Sequence, residues 1–357
     1  MQVDYLIIGQ GLCGSFLSHE LQKRNQSFLV IDDARSGTAS KIASGIINPV
    51  TGRRIVKTWM IDELMPFAWN AYQEIERDSG QQCIREIGIL DFFPTPQMRM
   101  AFLDRLATDG PYLSLPSDSR MWLDYLQYDF GFGLIQPSYL VDLTVFLQAC
   151  RNALVQKQQL MENHFDQDNL TIHDKGVQYN DIHADKIIFC DGNNGFHNNW
   201  FKNLPFAPNK GEALIVEIQG LPTQQAGLPV LLKKGISIVP WKDDLFWIGA
   251  SHEWHFTDDK PTETFLKKTI LQLQGFCKLP FKIMDHLAAV RPATIERRPF
   301  IGFHPVSTNV GIFNGMGTKG CSLAPYLARQ FVDHLVTGSP LMPEADVLRF
   351  RKVLSRG

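Results

Sequence analysis

The stretch Val3-Asp4-Tyr5-Leu6-Ile7-Ile8-Gly9-Gln10-Gly11-Leu12-Cys13-Gly14 decides the fold of this chain. An apolar run ends at Ile8, and Gly9, Gly11 and Gly14 follow it with the spacing G-x-G-x-x-G. The first glycine of this spacing permits a tight turn, the second lets the backbone approach a pyrophosphate, and the third lets the next helix pack closely on the strand. The stretch therefore predicts a strand, a turn and a helix that bind an adenine dinucleotide.

The residues that follow support this prediction. Leu12 to Arg24 has the apolar spacing of a helix, whose N-terminus would direct amide groups and a positive dipole at the phosphates. Asp32 closes a second apolar run over Ser27 to Ile31, where an acid accepts hydrogen bonds from ribose hydroxyls and repels a 2′-phosphate. Asp33 is the neighbouring alternative. This part of the sequence fits NAD and FAD equally.

Composition excludes several classes of protein. A chain of 357 residues favours two domains, and a formal charge of −2 argues against a surface that binds polyanions in general. The six cysteines are scattered without C-x-x-C or zinc-type Cys/His spacing, so we expect reduced thiols and no metal site. The sequence has neither a secretory signal nor an apolar run of about 20 residues, so we expect a soluble, cytoplasmic protein that does not enter membranes.

The order of apolar patterns predicts an interleaved α/β fold. Ala184 to Cys190 is a continuous apolar run of the kind found in buried parallel strands, whereas residues 213–218, 235–240 and 245–251 alternate as antiparallel strands do. We expect a Rossmann-type dinucleotide-binding domain and a second domain with a mixed or antiparallel sheet. The predicted boundaries are 1–58, 136–205 and 288–357 for the first domain, and 59–135 and 206–287 for the second.

Helical spacing and turn residues place the remaining elements. Ser138 is a plausible N-cap for the helix that includes Leu147, and residues 83–94 read as strands broken at Gly88 and Pro94. The predicted helices after the first are 59–77, 97–107, 138–154, 261–274 and 322–336.

A second glycine-rich turn, residues 315–320, links a strand over Asn309 to Asn314 to the last of these helices. Its three glycines would bring backbone N–H groups and a helix dipole towards something negative. A reduced flavin develops negative charge at its N1–C2=O edge, so donors here would stabilise it. A simple packing turn is the alternative.

Several stretches together resemble the D-amino-acid oxidase superfamily of FAD enzymes. The chain is most similar to glycine-oxidase-like proteins and to the flavin domain of the bifunctional tRNA wobble-uridine modification enzyme. The matching stretches, in family order from end to end, are Ile7 to Gly14, Ala39-Ser40 through Ala43-Ser44-Gly45, Lys210-Gly211-Glu212, Ala289 to Thr294, Pro299 to Gly302 and residues 315–320.

The resemblance implies FAD in the first domain, with its ring between the two domains. It implies that Arg291 binds a substrate carboxylate through its forked guanidinium. His252 is a further candidate for substrate contact, on strands that would face the ring together with Trp241 and Trp247. The implied cofactor-binding residues are Gly9, Gly11, Leu12, Cys13, Gly14, Asp32, Asp33, Ser40, Ser44, Gly45, Ile46, Gly192, Gly315, Gly317, Thr318, Lys319 and Gly320.

Three positions depart from the family pattern. Ser237 stands near the tyrosine that partners the carboxylate-binding arginine, which weakens the case for a small free amino acid. Trp247 occupies the position of the lysine that helps oxygen react in N-methyl amine oxidases. Ala289 stands where some members carry a flavin-linking cysteine, so we expect non-covalent FAD.

The chain is therefore expected to be an FAD-dependent oxidoreductase that oxidises the C–N bond of a carboxylate-bearing amine or amino acid. Hydride passes to the flavin, and water hydrolyses the resulting imine. The resemblance to the tRNA-modifying flavin domain implies one alternative, an enzyme that oxidises a carboxymethylaminomethyl group on tRNA, whose phosphates basic side chains could meet. Another is a non-catalytic flavoprotein. The basic residues are Arg53, Arg54, Lys57, Arg297 and Arg298.

Overall fold

The computed structural model describes residues 1–108, 110–118, 120–225, 227–242 and 244–356. Its helices are α1 (Leu12–Lys23), α2 (Ala39–Ile42), α3 (Ile61–Ser79), α4 (Pro96–Thr108), α5 (Leu143–Gln156), α6 (Glu263–Gln274), α7 (Gly320–Thr337) and α8 (Arg351–Leu354). Its strands are β1 (Gln2–Ile8), β2 (Phe28–Ile31), β3 (Ile46–Ile47), β4 (Val50–Thr51), β5 (Val56–Lys57), β6 (Ile84–Phe92), β7 (Leu113–Ser114), β8 (Phe132–Val141), β9 (Leu160–Met161), β10 (Leu170–His173), β11 (Gly176–Tyr179), β12 (Ile182–Phe189), β13 (Asn209–Glu217), β14 (Gln224–Gln225), β15 (Leu228–Lys234), β16 (Ile236–Lys242), β17 (Leu245–Gly249), β18 (Lys282–Arg291), β19 (Phe300–Phe303) and β20 (Val310–Asn314).

The first sheet has a parallel centre in the order β9, β2, β1, β12, β20. Helix α1 connects β1 to β2, which makes the first glycine-rich turn a strand-to-helix turn at the carboxyl end of a central strand. Strands β10, β11 and β19 extend this sheet with antiparallel pairs. The arrangement confirms the Rossmann-type fold predicted from the sequence.

Helices cover one face of the first sheet with a shared apolar core. Phe16 of α1 packs against Tyr72 of α3 and Phe146 of α5, with ring centroids 5.1 and 4.9 Å apart. Gly14 brings α1 close to the turn, because a Cβ built on it would lie 1.9 Å from the carbonyl oxygen of Gly9. The helix is therefore held where its N-terminus faces the end of β1.

The second sheet follows the order β18, β13, β17, β16, β15, β6, β8, β3. Strands β15 and β6 are parallel and their neighbours antiparallel, so this is the mixed sheet that the sequence predicted. Successive side chains of β13 point to opposite faces of the sheet, so Leu214 belongs to one buried cluster and Ile215 to another. Both faces of the sheet are thus covered.

Two predicted element boundaries were wrong. The helix predicted from Ser138 begins at Leu143, and its N-cap is Asp142, whose Oδ1 accepts from the Val145 N–H at 3.0 Å. Ser138 instead lies in β8, opposite Ile87, where pairing with β6 satisfies the backbone. The strand pattern near residues 83–94 is continuous as β6, and the chain passes through Gly88 with only a register shift. Cross-strand pairing overrides the local signals at both places.

The domain boundaries remain a prediction. Strand β8 crosses the proposed boundary at residue 136 and belongs to the second sheet. Helix α3, assigned from the sequence to the second domain, packs on α5 and α7 of the first core.

The cysteines are all free thiols, and five of them are buried. Burial raises the pKa of the Cys83 and Cys321 thiols to about 12, so both stay protonated at neutral pH.

Within the described ranges, no helix combines the length and apolar character that crossing a bilayer requires.

A candidate cofactor and substrate cavity

A cavity of about 1400 Å³ is lined by residues of both sheets. We call the side formed by Gly9 to Cys13, Asp32, Asp33, Gly192 and residues 316–320 the first-sheet wall. The side formed by Gly211, Trp247, Ala289, Arg291 and His252 is the second-sheet wall. The two strand-to-helix turns predicted to hold the cofactor thus face one space.

The first glycine-rich turn is shaped by backbone contacts. Gly9 has a φ of +99°, and a Cβ there would lie 2.6 Å from the carbonyl oxygen of Cys190. Gly11 has an ordinary extended conformation, and a Cβ on it would lie 3.2 Å from the Oγ and 3.9 Å from the Cβ of Ser40. The Leu12 N–H donates to the same Oγ at 3.4 Å. Gly11 therefore keeps the cavity side of the turn open for a bulky ligand group.

Asp32 is held firmly at the end of β2. Its carboxylate accepts from the backbone N–H groups of Gln10 and Ala34, both at 2.9 Å. It also accepts from Nη1 of Arg151 at 3.1 Å. Arg151 lies on α5, far along the chain, and no sequence motif indicated it. The network orients the acid that is predicted to bind a ribose.

Asp33 also lines the cavity, with partners of its own. Its carboxylate pairs with the Arg35 Nε at 2.7 Å and lies 3.3 Å from the His164 Nδ1. Burial alone would raise the pKa of Asp33, but the hydrogen bonds from Arg35 and His164 outweigh it and lower that pKa. The lowered pKa keeps the Asp33 carboxylate ionised as an acceptor near the end of β2.

A side-chain amide ties the ends of β12 and β20 together. Asn314 Nδ2 donates to Asp191 Oδ1 at 3.0 Å and to the Gly192 carbonyl at 2.9 Å, while the Gly315 N–H donates to Asn314 Oδ1 at 2.7 Å. Removal from water raises the pKa of Asp191 to about 6, although Asn198 and Asn314 donate to it. Sequence reasoning missed Asp191 and Asn314.

The second glycine-rich turn reaches towards Arg291. Gly317 has a φ of +56°, and its N–H donates to the Pro292 carbonyl at 3.1 Å. Lys319 follows as the N-cap of α7. This backbone hydrogen bond places the turn beside the residue that comes directly after Arg291.

Arg291 of β18 lines the cavity with its guanidinium held by neutral oxygens. Its Nη1 donates to Asn209 Oδ1 at 2.7 Å and to the Ser251 carbonyl at 3.1 Å. The side chain lies across Gly211, where a Cβ would come within 1.9 Å of Nη2. In the described portion of the chain, no carboxylate forms an ion pair with Arg291. Burial lowers its pKa to about 10, so it stays cationic at neutral pH and would attract an anion.

The aromatic and histidine side chains occupy different places. His252 Nδ1 lies 3.3 Å from Asn209 Oδ1, and desolvation together with the Arg291 charge lowers the pKa of His252. Trp247 is buried, and its Nε1 donates to the Ile42 carbonyl at 3.0 Å. Trp247 therefore forms part of the wall, whereas Trp241 does not line the cavity.

The structure brings most of the predicted site residues around this cavity. Arg291 and His252 line it together with Gly9, Gly11, Leu12, Cys13, Asp32, Asp33, Ser40, Ser44, Ile46, Gly192, Gly317, Thr318, Lys319 and Gly320. The other three predicted glycines, Gly14, Gly45 and Gly315, do not line the cavity, because each packs against another part of the chain. A Cβ built on these glycines would lie 1.9, 1.9 and 2.8 Å, respectively, from the nearest atom of that part. These three glycines set the shape of the backbone behind the wall.

The basic residues considered for tRNA lie outside the cavity lining. The Arg298 guanidinium stacks over Trp59 at 4.1 Å from the ring centroid, and Lys57 pairs with Asp62. Binding of tRNA by this surface stays a prediction.

The residues of the first-sheet wall fit FAD. The open side of Gly11, the N-terminus of α1 and the acids after β2 supply the contacts that a pyrophosphate and a ribose need. The second turn adds another helix N-terminus on the same cavity.

Comparison with known proteins identifies the family and the cofactor. The model of the family DAO, FAD dependent oxidoreductase, matches residues 4–334. The fold is similar to glycine oxidase from Geobacillus kaustophilus, with a TM-score of 0.77 and 17% identity over 95% of each chain. It is also similar to iminodiacetate oxidase from Chelativorans sp. BNC1, with a TM-score of 0.77 and 19% identity over 96% of this chain and 98% of that one.

A third similar structure is the dithionite-reduced L-alpha-glycerophosphate oxidase from Mycoplasma pneumoniae with FAD bound. Its TM-score is 0.71, with 17% identity over 96% of this chain and 97% of that one. At such identities these likenesses show the fold, while the match to the family model spans nearly the whole chain. The chain belongs to the DAO family and is an FAD-dependent oxidoreductase.

Proposed function

We propose that this enzyme oxidises the C–N bond of a small amine that carries a carboxylate. The observation that carries the proposal is Arg291, a half-buried guanidinium on the cavity with no acidic partner in the ranges that the structure describes. A charge-assisted, two-pronged hydrogen bond to a carboxylate is the interaction that such a group makes best.

Residues of the second-sheet wall and directly behind it prepare this cation for a ligand. Asn209 and the Ser251 carbonyl fix Nη1 with neutral oxygens, so the positive charge is oriented and not cancelled. His252 has a lowered pKa and adds little charge of its own at neutral pH. Trp247 excludes water from the wall beside them.

The reaction requires a neutral amine, because an ammonium nitrogen has no lone pair to assist loss of hydride from the neighbouring carbon. A free alkylamine has a pKa of about 10, and removal from water favours its neutral form. When bound, FAD would supply the hydride acceptor, and water would hydrolyse the imine left on the substrate to a carbonyl compound and an amine. Arg291 holds the carboxylate so that the carbon next to nitrogen stays in one position.

The named neighbours support this class of substrate without deciding it. Glycine and iminodiacetate are both amines that carry carboxylates, and two of the similar structures are named as their oxidases. The L-alpha-glycerophosphate oxidase has a similar fold, but the substrate in its name is not an amine. The proposal therefore depends on Arg291 and not on the likeness of fold.

An anaerobic flavin-reduction assay tests the proposal. The FAD-loaded protein is mixed with pairs of amines that differ only in a carboxylate, such as N-methylglycine and dimethylamine, and flavin bleaching is followed. We expect at least one carboxylated amine to bleach the flavin, with the matching carbonyl product found by mass spectrometry, and its partner without the carboxylate to react far more slowly. Bleaching by none of a broad carboxylated panel, while dithionite still reduces the flavin, would contradict the proposal and favour a non-catalytic flavoprotein.

A further inference from the structure

We propose that residues 254–261 form a lid over the substrate side of the cavity, held at both ends by Lys210 and Glu212 and latched by one ion pair. Phe256 and Asp259 of this lid line the cavity together with Arg291. That a substrate binds on this side rests on the proposed function above, whereas the lid itself rests on the contacts of the segment.

The first end of the lid is fixed by backbone pairing. Glu253 and Lys210 exchange two backbone hydrogen bonds, each 2.9 Å long, and Asn209 Nδ2 also donates to the Glu253 carbonyl at 3.2 Å. Two residues earlier, the Ser251 N–H donates to the Glu212 carbonyl at 3.2 Å, and the Glu212 N–H donates to Ser251 Oγ at 2.9 Å. The chain leading into the lid is therefore attached to β13.

The second end of the lid is fixed by a buried carboxylate. Glu212 is fully buried, and its two carboxylate oxygens accept from the Thr262 N–H at 2.6 Å and from Thr262 Oγ1 at 2.7 Å. Thr262 is also the N-cap of α6, where its Oγ1 accepts from the Phe265 N–H at 3.3 Å. Carboxylates accept short, strong hydrogen bonds. Both ends of the lid are thus attached to neighbouring residues of one strand, β13.

Between these ends the lid has few polar contacts. Across the ranges that the structure describes, no backbone hydrogen bond joins the lid to another segment. In the same ranges, its polar contact with the rest of the protein is the ion pair between Asp258 Oδ1 and Lys210 Nζ, which are 3.8 Å apart. Trp254 is 54% exposed, and residues 254–257 line a depression of about 490 Å³ together with Pro208. The lid therefore has open space on two sides, the cavity and this depression.

The ion pair can break without leaving a buried charge alone. Lys210 is only 2% exposed, but its Nζ also lies 3.9 Å from Glu212 Oε1. Glu212 belongs to β13 and does not move with the lid, so Lys210 keeps a carboxylate nearby when Asp258 leaves. An unpaired buried charge would be very unfavourable, whereas an ion pair with an exposed partner contributes little. The arrangement therefore favours a lid that is closed at rest and opens readily.

The first test follows the entry and exit of a ligand in Asp258→Asn. Asparagine has the shape of aspartate and can still accept from the Lys260 N–H, but it carries no charge to pair with Lys210. The FAD-loaded protein is mixed with (methylthio)acetate, a carboxylate without an amine, and the flavin absorbance gives the association and dissociation rate constants. We expect both constants to rise at least threefold in Asp258→Asn, with Kd within twofold, because a ligand passes the lid in both directions.

The matched control is Glu263→Gln, which removes a carboxylate that pairs with Lys267 on the exposed surface of α6, just outside the lid. It should leave both rate constants unchanged. Unaltered constants in Asp258→Asn would overturn the inference. A change in only one of the two constants would also overturn it, because Asp258 would then act on the bound or approaching ligand and not on its passage.

A second test examines the lid without a ligand. Chymotrypsin cleaves after aromatic residues, and cleavage after Trp254 or Phe256 requires the lid to leave its place. The rate of cleavage at these two bonds should rise at least threefold in Asp258→Asn and stay unchanged in Glu263→Gln. Equal rates in all three proteins would contradict the lid. If (methylthio)acetate failed to bind at all, the proposed carboxylate site would be wrong, and the cleavage rates would still decide whether the lid exists.

Discussion

The two walls of the cavity are built from different parts of the polypeptide. The first-sheet wall is made largely of backbone, with glycines at two turns and helix N-termini directed at the space between them. The second-sheet wall is made of side chains, and its central cation is held by residues from β13 and from the segment after β17.

This difference separates what binds the cofactor from what selects the substrate. Backbone N–H groups and glycine turns recognise phosphates whatever the rest of the ligand is. Side chains on separate strands can change one at a time, and they determine which anion or apolar group fits. Members of one fold can therefore share a cofactor and differ in substrate.

The largest effect is expected from blocking the backbone wall. Gly11→Val places a branched side chain beside the Ser40 Oγ and Cβ, which lie 3.2 and 3.9 Å from the Cβ position, and Gly11 already has a conformation that valine adopts. The protein should fold, but its affinity for FAD should fall by about 100-fold or more, because the side chain fills the approach to the turn. Titration of the FAD-free protein with FAD, followed by flavin fluorescence, measures this loss.

Gly110→Val is the matched control, because a Cβ there meets nothing within 4 Å and the residue does not line the cavity. It should bind FAD as the unaltered protein does. Full FAD affinity in Gly11→Val would mean that this turn is not the pyrophosphate site.

A smaller effect is expected from adding charge to the side-chain wall. Asn209→Asp puts a carboxylate 2.7 Å from Arg291 Nη1, so the protein would supply the anion that the substrate should bring. We expect KM for a carboxylated amine to rise about tenfold or more, with FAD affinity unchanged. Asn152→Asp adds the same charge on the exposed surface of α5 and should leave KM unaltered. A normal KM in Asn209→Asp would break the proposed link between Arg291 and the substrate.

The smallest effect concerns the side chain of Asp191, which lines the cavity beside the backbone wall. Asp191 has a pKa of about 6 in the folded protein and 3.8 as an ordinary aspartate, so folding favours its protonated form. Its contribution to stability is complete below pH 3.8 and is lost as pH rises through about 6. Asp191→Asn stays neutral over this pH range. Compared with the FAD-loaded unaltered protein, its Tm should therefore rise by a few degrees as the pH increases from 4 to 7.

The measurement is thermal unfolding of both proteins at several pH values. A difference in Tm that stays constant over this range would contradict the raised pKa, because a lost hydrogen bond alone gives an offset that does not change with pH.

The difference between the backbone wall and the side-chain wall also explains how much could be predicted from the sequence. The Rossmann-type fold, the mixed second sheet and the positions of both glycine-rich turns were predicted correctly, because glycine spacing and apolar periodicity are local patterns. The helix predicted from Ser138 failed where the pairing of β8 with β6 overrode a local signal. Strand pairing joins residues that are distant in sequence, so no local pattern reports it.

The supporting side chains were missed for a related reason. These side chains form hydrogen bonds with residues that are far away in the sequence. Arg151 is 119 positions from Asp32, Asn209 is 82 positions from Arg291, and Asn314 is 123 positions from Asp191. Each is an ordinary polar residue in its own segment, and only folding gives it a partner. Arg291 itself was selected by resemblance to a family, and its role in binding substrate remains a proposal.

The most direct test of the central claim is a comparison of flavin reduction in the unaltered protein and in Arg291→Met. The apparent second-order rate constant is measured anaerobically for a carboxylated amine that bleaches the flavin and for its partner without the carboxylate. We predict that Arg291→Met retains FAD and loses about 100-fold of the preference for the carboxylated amine, since roughly 3 kcal/mol of charge-assisted hydrogen bonding is removed. An unchanged preference in Arg291→Met would contradict the account.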